Sequence, residues 1–297
     1  MAETIRSAAP PVDAASGTSA AAAPPARAAS GPSFWRAYRV TLLSALVFII
    51  FVVAWEWGLR ALGVPKFIVP TLTEIWAEFL RAIELQQLAL HTGITLYTVI
   101  VGFVLGSLLG MSIGYLLGMS PTAEVVASPY LLALQIAPKV AFAPLFILWF
   151  GYTIFPKILV AILIVFFPVL INVLSAVRAV DPAMINLART FNATRWQIFW
   201  KIEFPASMPP LFSGLRIGST LAVIGVTVGE LVGGNRGLGF LLVTGEGQGN
   251  AALVYLTIIL LTLIGIVAYC GVIFAERRIL HYMPRRDFGN FENTGGK

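Results

Sequence analysis

Among the polar side chains that fall inside long apolar segments of this sequence, six are candidates for a functional role. They are Gln135, Lys139, Asn172, Thr220, Thr227 and Glu230. Polar and ionisable groups at such positions pair with one another or with backbone carbonyls, and they mark pathways for ions and solutes. We therefore take these residues as candidates for lining a pathway through the protein. Taken singly, each more often serves as a hydrogen bond between helices, and Lys139 is near enough to a segment end to cap a helix or to reach out of the apolar layer.

The other reactive residue types do not group into a catalytic or metal site. Cys270 is the single cysteine, and His91 and His281 are far apart in the sequence, so no disulfide framework or Cys/His metal cluster is indicated. The sequence has no G-x-x-x-x-G-K-[ST] phosphate loop, so the chain cannot bind ATP by that route. We predict that this chain holds no catalytic residue, no cofactor and no metal.

The composition places the chain in a membrane. Of its 297 residues, 58% are hydrophobic and only 11% are charged. Soluble domains carry about 25% charged residues, so this chain cannot cover a normal water-facing surface. The net charge of +6 could suggest nucleic acid, but so few charges cannot form the basic stripe that phosphate contacts need. Nucleic-acid binding is therefore excluded.

The apolar segments predict an all-α integral membrane protein with about six transmembrane helices, because a span needs roughly 20 apolar residues. The six predicted spans are residues 38–61, 93–119, 125–150, 158–179, 211–232 and 253–275. The Ala/Pro/Ser-rich stretch 1–33 is expected to be a disordered arm, residues 34–280 the transmembrane domain, and residues 281–297 a tail.

Lysine and arginine are distributed unevenly between the two sides of these spans. One side receives Arg27, Arg36, Arg39, Arg178, Arg189, Arg195, Lys201, Arg216, Arg277, Arg278, Arg285 and Arg286, and the other receives Arg60, Lys66, Arg81, Lys157 and Arg236. Positive charge is enriched on the cytoplasmic side of membrane proteins. Both termini and the loop after the fourth span are therefore predicted to be cytoplasmic.

Three further patterns predict local structure. Residues 71–83 form an amphipathic helix, interpreted as lying in the membrane interface or, alternatively, as a gate or docking element. Glycine recurs at every fourth position from Gly102 to Gly118, which predicts a helix-packing seam, within one subunit or between two. The third span is interrupted by prolines, and a broken helix is tolerated only where protein or a cavity satisfies the freed backbone. These prolines are Pro129, Pro138 and Pro144.

The loop after the fourth span predicts a helix, a tight turn and a second helix. Asp181 before Pro182 is a helix N-cap with proline at the first helical position. Asn192 suits a left-handed turn, after which Thr194 has the spacing of a capping box and Pro205 is expected to end the second helix. The aromatic residues of the loop are expected to be exposed unless a partner covers them. They are Phe191, Trp196, Phe199 and Trp200.

This loop resembles the hallmark of the permease subunits of binding-protein-dependent ABC importers. Their loop reads Glu-Ala-Ala, three residues, Gly, nine residues, Ile, one residue, Leu-Pro, and here residues 202–205 fit its end. Asn192 then stands at the glycine and residues 186–188 at Glu-Ala-Ala, so the glutamate is missing. Residues 136–151 and 237–241 look like the branch that imports nitrate, taurine and alkanesulfonates. The residues expected to couple to an ATPase are Asn186, Ala188, Arg189, Phe191, Asn192, Arg195, Trp196, Trp200 and Pro205.

The resemblance implies a permease in the bacterial inner membrane that imports a small organic or oxyanion solute. Its expected partners are a second copy of itself, two cytoplasmic ATPase subunits that bind ATP and Mg, and a periplasmic substrate-binding protein. An ion-coupled secondary transporter or channel subunit is the alternative. That alternative and a membrane enzyme are disfavoured because, apart from Glu230, the acidic residues lie in arms, loops or span ends.

Overall fold

The computed structural model describes residues 34–282. The predicted arm 1–33 and nearly all of the predicted tail 281–297 lie outside the described residues. The helices are α1 Phe34–Ala61, α2 Leu72–Leu85, α3 Leu88–Gly118, α4 Pro121–Ile136, α5 Phe142–Phe150, α6 Phe155–Arg178, α7 Pro182–Thr190, α8 Arg195–Ile198, α9 Phe204–Gly233, α10 Leu238–Gly247 and α11 Ala251–Ile279. Short 3-10 turns cover Lys139–Ala141 and Leu280–Tyr282, and a π-helical turn covers Phe199–Glu203.

The described residues form two compact units that are divided between Val52 and Val53. The first contains α1 as far as Val52, and every contact described below belongs to the second. Across residues 34–282, five helices are long and apolar enough to cross a membrane, and the bent pair α4 and α5 would make a sixth. The predicted all-α fold with about six spans is thereby confirmed.

Helix α6 lies between α3 and α9 and contacts both along its length. On α3, the glycine repeat faces α6. A Cβ atom added to Gly110 would lie 2.7 Å from the backbone oxygen of Phe166, and one added to Gly114 would lie 2.9 Å from the Cβ of Val173. No side chain fits in that space without displacing backbone or a branched side chain. The predicted packing seam therefore lies within the chain.

A second glycine seam, which the sequence analysis did not identify, lies on α9. A Cβ atom on Gly225 would lie 2.8 Å from the Cα of Ala161, and one on Gly229 would lie 2.9 Å from the Cα of Lys157. Both contacts are with the backbone of α6. Because small residues let helix backbones approach closely, α6 is held between two glycine-lined neighbours.

The third predicted span is broken, as expected, but at one proline and not at three. Helices α4 and α5 meet at 72°, and the break lies at Pro138 and the short 3-10 turn that follows. Pro129 lies inside α4 without ending it, and Pro144 lies in the first turn of α5. A proline in a first turn interrupts nothing, because the backbone N–H groups there have no partner within the helix.

The amphipathic helix predicted at 71–83 is α2, and its start is well defined. Thr71 and Glu74 form a capping box, in which the Thr71 backbone N–H donates to the Glu74 carboxylate at 3.0 Å. Lys66 lies 2.7 Å from the same carboxylate. The hydrogen bond from Lys66 is the main cause that lowers the pKa of Glu74 below its usual value.

The buried side of α2 differs from its apolar stripe. Its buried residues are Ile75, Glu78 and Ala82, whereas Trp76 and Leu80 are exposed. Glu78 accepts a hydrogen bond of 3.0 Å from the amide of Asn250, which precedes α11. The other carboxylate oxygen lies 3.7 Å from the Arg81 guanidinium. A charged residue with partners therefore lies on the buried side of α2, while Trp76 and Leu80 face outward, as suits a helix in a membrane interface.

Candidate functional site

In the loop 181–204, the predicted start of the first helix, the left-handed turn and the predicted start of the second helix agree with the structure. The Asp181 carboxylate accepts from the Ala183 backbone N–H at 2.8 Å, which caps α7. Asn192 has φ = +56°, the left-handed conformation expected after a helix. Thr194 then starts α8 with a capping box, since its hydroxyl accepts from the Gln197 N–H while the Gln197 side chain accepts from the Thr194 N–H.

Pro205 does not end the second helix of this loop, so that prediction is wrong. The chain stays helical from Arg195 to Gly233, with the π-helical turn Phe199–Glu203 between α8 and α9. Pro205 lies in the first turn of α9. The π-helical turn changes the hydrogen-bond register just before Pro205, so the missing N–H does not interrupt the helix.

The aromatic residues of the loop divide into an inner and an outer group. Phe199 is only 9% exposed, which corrects the expectation that it faces solvent. Its ring lies edge-on to Tyr115 of α3 at 5.5 Å between centroids. Phe191 and Trp196, by contrast, are 79% and 66% exposed. The inner ring holds the loop against the bundle, while the outer rings form an uncovered apolar surface.

The outer surface includes side chains beyond the candidates named from the sequence. Met184 and Leu187 of α7, which the sequence analysis did not select, extend it with exposed side chains. Their spacing before Phe191 is the signal that could have identified them, because residues three or four apart share a helix face. Of the remaining candidates, those that are exposed are Asn186, Arg189, Asn192, Arg195 and Trp200, and those that are half-buried are Ala188 and Pro205.

Two pathway candidates, Thr220 and Thr227, line one groove of about 670 Å³ between α9, α10 and α11. Its walls are Thr220, Val223, Ile224, Thr227, Val228, Leu242, Ile258, Leu261, Thr262, Gly265, Ile266 and Tyr269. The hydroxyls of Thr220 and Thr227 donate to carbonyls of their own helix, at 2.9 and 2.7 Å. They therefore offer acceptor lone pairs to a guest, and none of the lining residues carries a charge.

The remaining candidates lie apart from this groove. Gln135 is exposed, and its backbone carbonyl accepts from the Lys139 ammonium. Lys139 also lies over the ring of Phe167 at 4.9 Å from the centroid. This arrangement is the helix-capping alternative considered for Lys139. The Asn172 amide donates to the Pro168 carbonyl of its own helix at 2.8 Å.

Glu230 belongs to a buried polar cluster with His91, Thr95 and Lys157. The Glu230 residue is 1% exposed, and its carboxylate accepts from the Thr95 hydroxyl at 2.9 Å and from the Gly239 N–H at 2.8 Å. The Thr95 hydroxyl in turn accepts from the Leu238 N–H at 2.8 Å. The carboxylate is thus satisfied within the protein.

The rest of the cluster fixes the turn before α10. The ring of His91 accepts from the Gly237 N–H at 2.9 Å, and the Lys157 ammonium donates to the Arg236 carbonyl. Gly237 has φ = +113°, and any side chain there would overlap the Glu230 carboxylate. In the sequence, the Gly-Leu-Gly stretch 237–239 contributes only to the family resemblance. It is the sequence signal for this cluster and for α10, which was not predicted.

Comparison with known families identifies the class. The model of the family described as "Binding-protein-dependent transport system inner membrane component" matches residues 102–281. The chain belongs to this family. It is a multi-pass transport permease of the ABC importer type and not an enzyme. Members of the family normally work with an ATPase and a substrate-binding protein.

Several relatives match over most of their length. The formylaminopyrimidine transport permease protein ThiX of Halalkalibacterium halodurans is 32% identical over 84% of this chain and 99% of its own. The riboflavin transport system permease protein RibX of Chloroflexus aurantiacus is 37% identical over 82% of this chain and 88% of its own length. The putative aliphatic sulfonates transport permease protein SsuC of Bacillus subtilis is 34% identical over 72% of this chain and 78% of its own length. The sulfonate-type branch that the motifs resembled is among these relatives.

A solved structure shares the fold. A chain of the inward-facing MetNI methionine ABC transporter aligns with a TM-score of 0.57 and 21% identity, over 68% of this chain and 98% of that chain. At this identity, the likeness concerns the arrangement of helices only.

Proposed function

We propose that this chain forms the translocation pathway of an importer for a small organic solute, and that the loop 181–204 couples it to an ATPase subunit. The observation that carries the proposal is the uncovered apolar surface of that loop, with Phe191 and Trp196 outward. Exposed aromatic side chains in a group are typical anchors of protein interfaces. Phe199 holds the loop against α3 through Tyr115, so a movement of the loop would reach the spans.

The partner set follows the family pattern. A second copy of this chain, two ATPase subunits that bind ATP and Mg, and a periplasmic substrate-binding protein complete the proposed assembly. The Lys/Arg asymmetry supports cytoplasmic termini in the inner membrane. In that orientation the loop 181–204 would lie on the side where ATP is available. Reporter fusions test this orientation. Fusions after Arg286 and within residues 234–249 are expected to report opposite sides, and the same side for both would contradict it.

The groove between α9, α10 and α11 is the proposed solute path. Thr220 and Thr227 supply hydrogen-bond acceptors, and Tyr269 contributes an aromatic ring to otherwise aliphatic walls. An oxyanion would find no cation among these residues, whereas a neutral heterocycle could stack on Tyr269 and donate hydrogen bonds to the threonine hydroxyls. The names of ThiX and RibX, which refer to formylaminopyrimidine and riboflavin, favour the same solute class.

An oxyanion such as a sulfonate is the second candidate, and its support is the similarity to SsuC. The two candidates are separated by a ligand screen on the cognate binding protein, with a formylaminopyrimidine, riboflavin, taurine and nitrate as probes. The bound compound is then supplied to vesicles that contain the assembled transporter. We expect ATP-dependent uptake of a neutral heterocycle. Uptake of taurine or nitrate alone would favour the oxyanion, and no ATP-dependent uptake of any ligand that the binding protein retains would contradict an importer.

A further inference from the structure

Helix α4 is held to the bundle mainly near its two ends. Of its residues, Glu124 alone is buried, while apolar side chains along its length, including Val125, Tyr130 and Ile136, are exposed. The Glu124 side chain is 5% exposed and forms an ion pair with Arg178, which lies in the last turn of α6 and whose own side chain is 55% exposed. Beyond the other end of α4, Lys139 lies over Phe167 of α6. Charged side chains therefore tie α4 to α6 where few apolar contacts do.

The position of Arg178 connects this ion pair to the loop 181–204. Arg178 is the last residue of α6, and Asp181, three residues later, caps α7. The connection between α6 and α7 is only three residues long, so a displacement of α7 has a short path to the end of α6. Through the ion pair, the same displacement reaches the start of α4, which leads to the 72° bend before α5.

From this arrangement we infer that Glu124 and Arg178 form the joint through which a movement of the loop 181–204 is passed to the broken span. They are positioning residues for transport. The inference rests on the proposed function, since it presumes that the loop moves with an ATPase. Coupling between sites is carried by physically contiguous elements. The buried Glu124 carboxylate connects α4 firmly to α6, because separating it from its charged partner would leave a buried charge unpaired.

A second ion pair at the same end of the bundle serves as a matched control. Arg216 of α9 and Glu276 of α11 are 3.6 Å apart, and both side chains are partly exposed. This pair joins two long helices that already contact each other along extensive apolar surfaces. Arg216→Gln therefore removes an ion pair without loosening a helix that depends on it.

The test follows α4 with a thiol label. Tyr130→Cys, in a Cys270→Ser background, places the label on the exposed part of α4. The labelled chain is assembled in lipid vesicles with a cysteine-free cognate ATPase, and the rate of thiol modification is measured with and without Mg and the non-hydrolysable ATP analogue AMP-PNP. Co-elution of the ATPase is measured in parallel.

In the otherwise wild-type chain, AMP-PNP is expected to change the modification rate at position 130. Glu124→Gln should keep the ATPase bound but reduce that change at least about fivefold, the lower end of typical coupling between sites. Arg178→Lys keeps the charge and should preserve the response, as should Arg216→Gln. If Glu124→Gln does not fold, the double variant Glu124→Gln with Arg178→Gln, which leaves no unpaired charge, replaces it.

Two results would overturn the inference. One is a Glu124→Gln protein that keeps both the ATPase and the full response to AMP-PNP. The other is loss of co-elution in Glu124→Gln, because the pair would then support the docking surface itself. Failure of the wild-type chain to co-elute with the ATPase is a different result, and it would contradict the proposed function on which the inference rests.

Discussion

Two regions of the molecule differ in how completely their side chains are buried: the helices packed around α6 and the loop 181–204. Around α6, glycines on α3 and α9 bring backbones into contact, and the polar groups of the cluster at Glu230 bond to one another. In the loop, backbone groups are satisfied by caps, but the large apolar rings of Phe191 and Trp196 are left uncovered.

The residues around α6 therefore stabilise the chain itself, whereas the exposed rings of the loop 181–204 are available to a partner. A buried polar group without a hydrogen bond is costly in an apolar medium, so the cluster must be completed inside the chain. Exposed aromatic rings next to water are also unfavourable, and burial against another protein relieves that cost. Variants around α6 should therefore change folding, whereas variants on the outer loop should change association.

The largest effect is expected from Gly110→Leu in the α3 seam. The first side-chain atom would lie 2.7 Å from the Phe166 carbonyl oxygen, and that backbone cannot move aside within a helix. Overpacking of this kind should destabilise the fold by about 3 kcal/mol or more. The measurement is the yield and melting temperature of the purified protein. Gly271→Leu is the control, because a Cβ atom there meets nothing within 4 Å. Equal yield of both variants would show that the seam is incidental.

Glu230→Ala is expected to have the next largest effect. It leaves the Gly239 N–H without its acceptor and the Thr95 hydroxyl without its partner in a buried site. Each such loss costs about 1–3 kcal/mol, so the melting temperature should fall clearly. Glu230→Gln retains an oxygen acceptor, so its melting temperature should fall less than that of Glu230→Ala. If both variants melt like the wild type, the cluster does not stabilise the chain.

Phe191→Ala should weaken association without changing stability. The ring is 79% exposed, so its removal empties no part of the core. An interface anchor is often worth at least about 2 kcal/mol, or about 30-fold in affinity for the ATPase subunit. Phe199→Ala is the comparison variant. Because the Phe199 ring is buried, its removal should lower the melting temperature. The comparison between loop and core would be broken if Phe191→Ala lowered the melting temperature as much as Phe199→Ala.

The smallest effect is expected at Asn192, which has φ = +56°. Asn192→Gly should be nearly neutral, because glycine adopts this conformation freely. Asn192→Val should cost about 1 kcal/mol or slightly more, because a left-handed backbone crowds a β-branched side chain. The readout is stimulation of ATP hydrolysis by the ligand-loaded binding protein. Coupling that is equal in the valine and glycine variants would mean that the geometry of this turn is unimportant.

The predicted spans, the amphipathic helix and the caps of the loop 181–204 agree with the structure because each depends on neighbouring residues. An apolar run of sufficient length, a proline after Asp181, or an asparagine at a helix end acts within a few residues. The same local reasoning fails for proline, because a proline can either break a helix or lie in the first turn of the next one. Pro138 breaks a helix, whereas Pro144 and Pro205 lie in first turns and do not.

Residue types and their spacing along the chain are enough to infer helices, membrane spans and a capped loop that carries exposed rings such as Phe191 and Trp196. The packing of the helices is needed to see that Glu230 accepts from Thr95, that Glu124 pairs with Arg178, and that Glu78 lies on the buried side of α2. These pairs are 135, 54 and, for Glu78 with Asn250, 172 positions apart. Composition and periodicity set which helices form, but which polar groups meet depends on how the helices pack, and in an apolar medium each buried group must find its partner there.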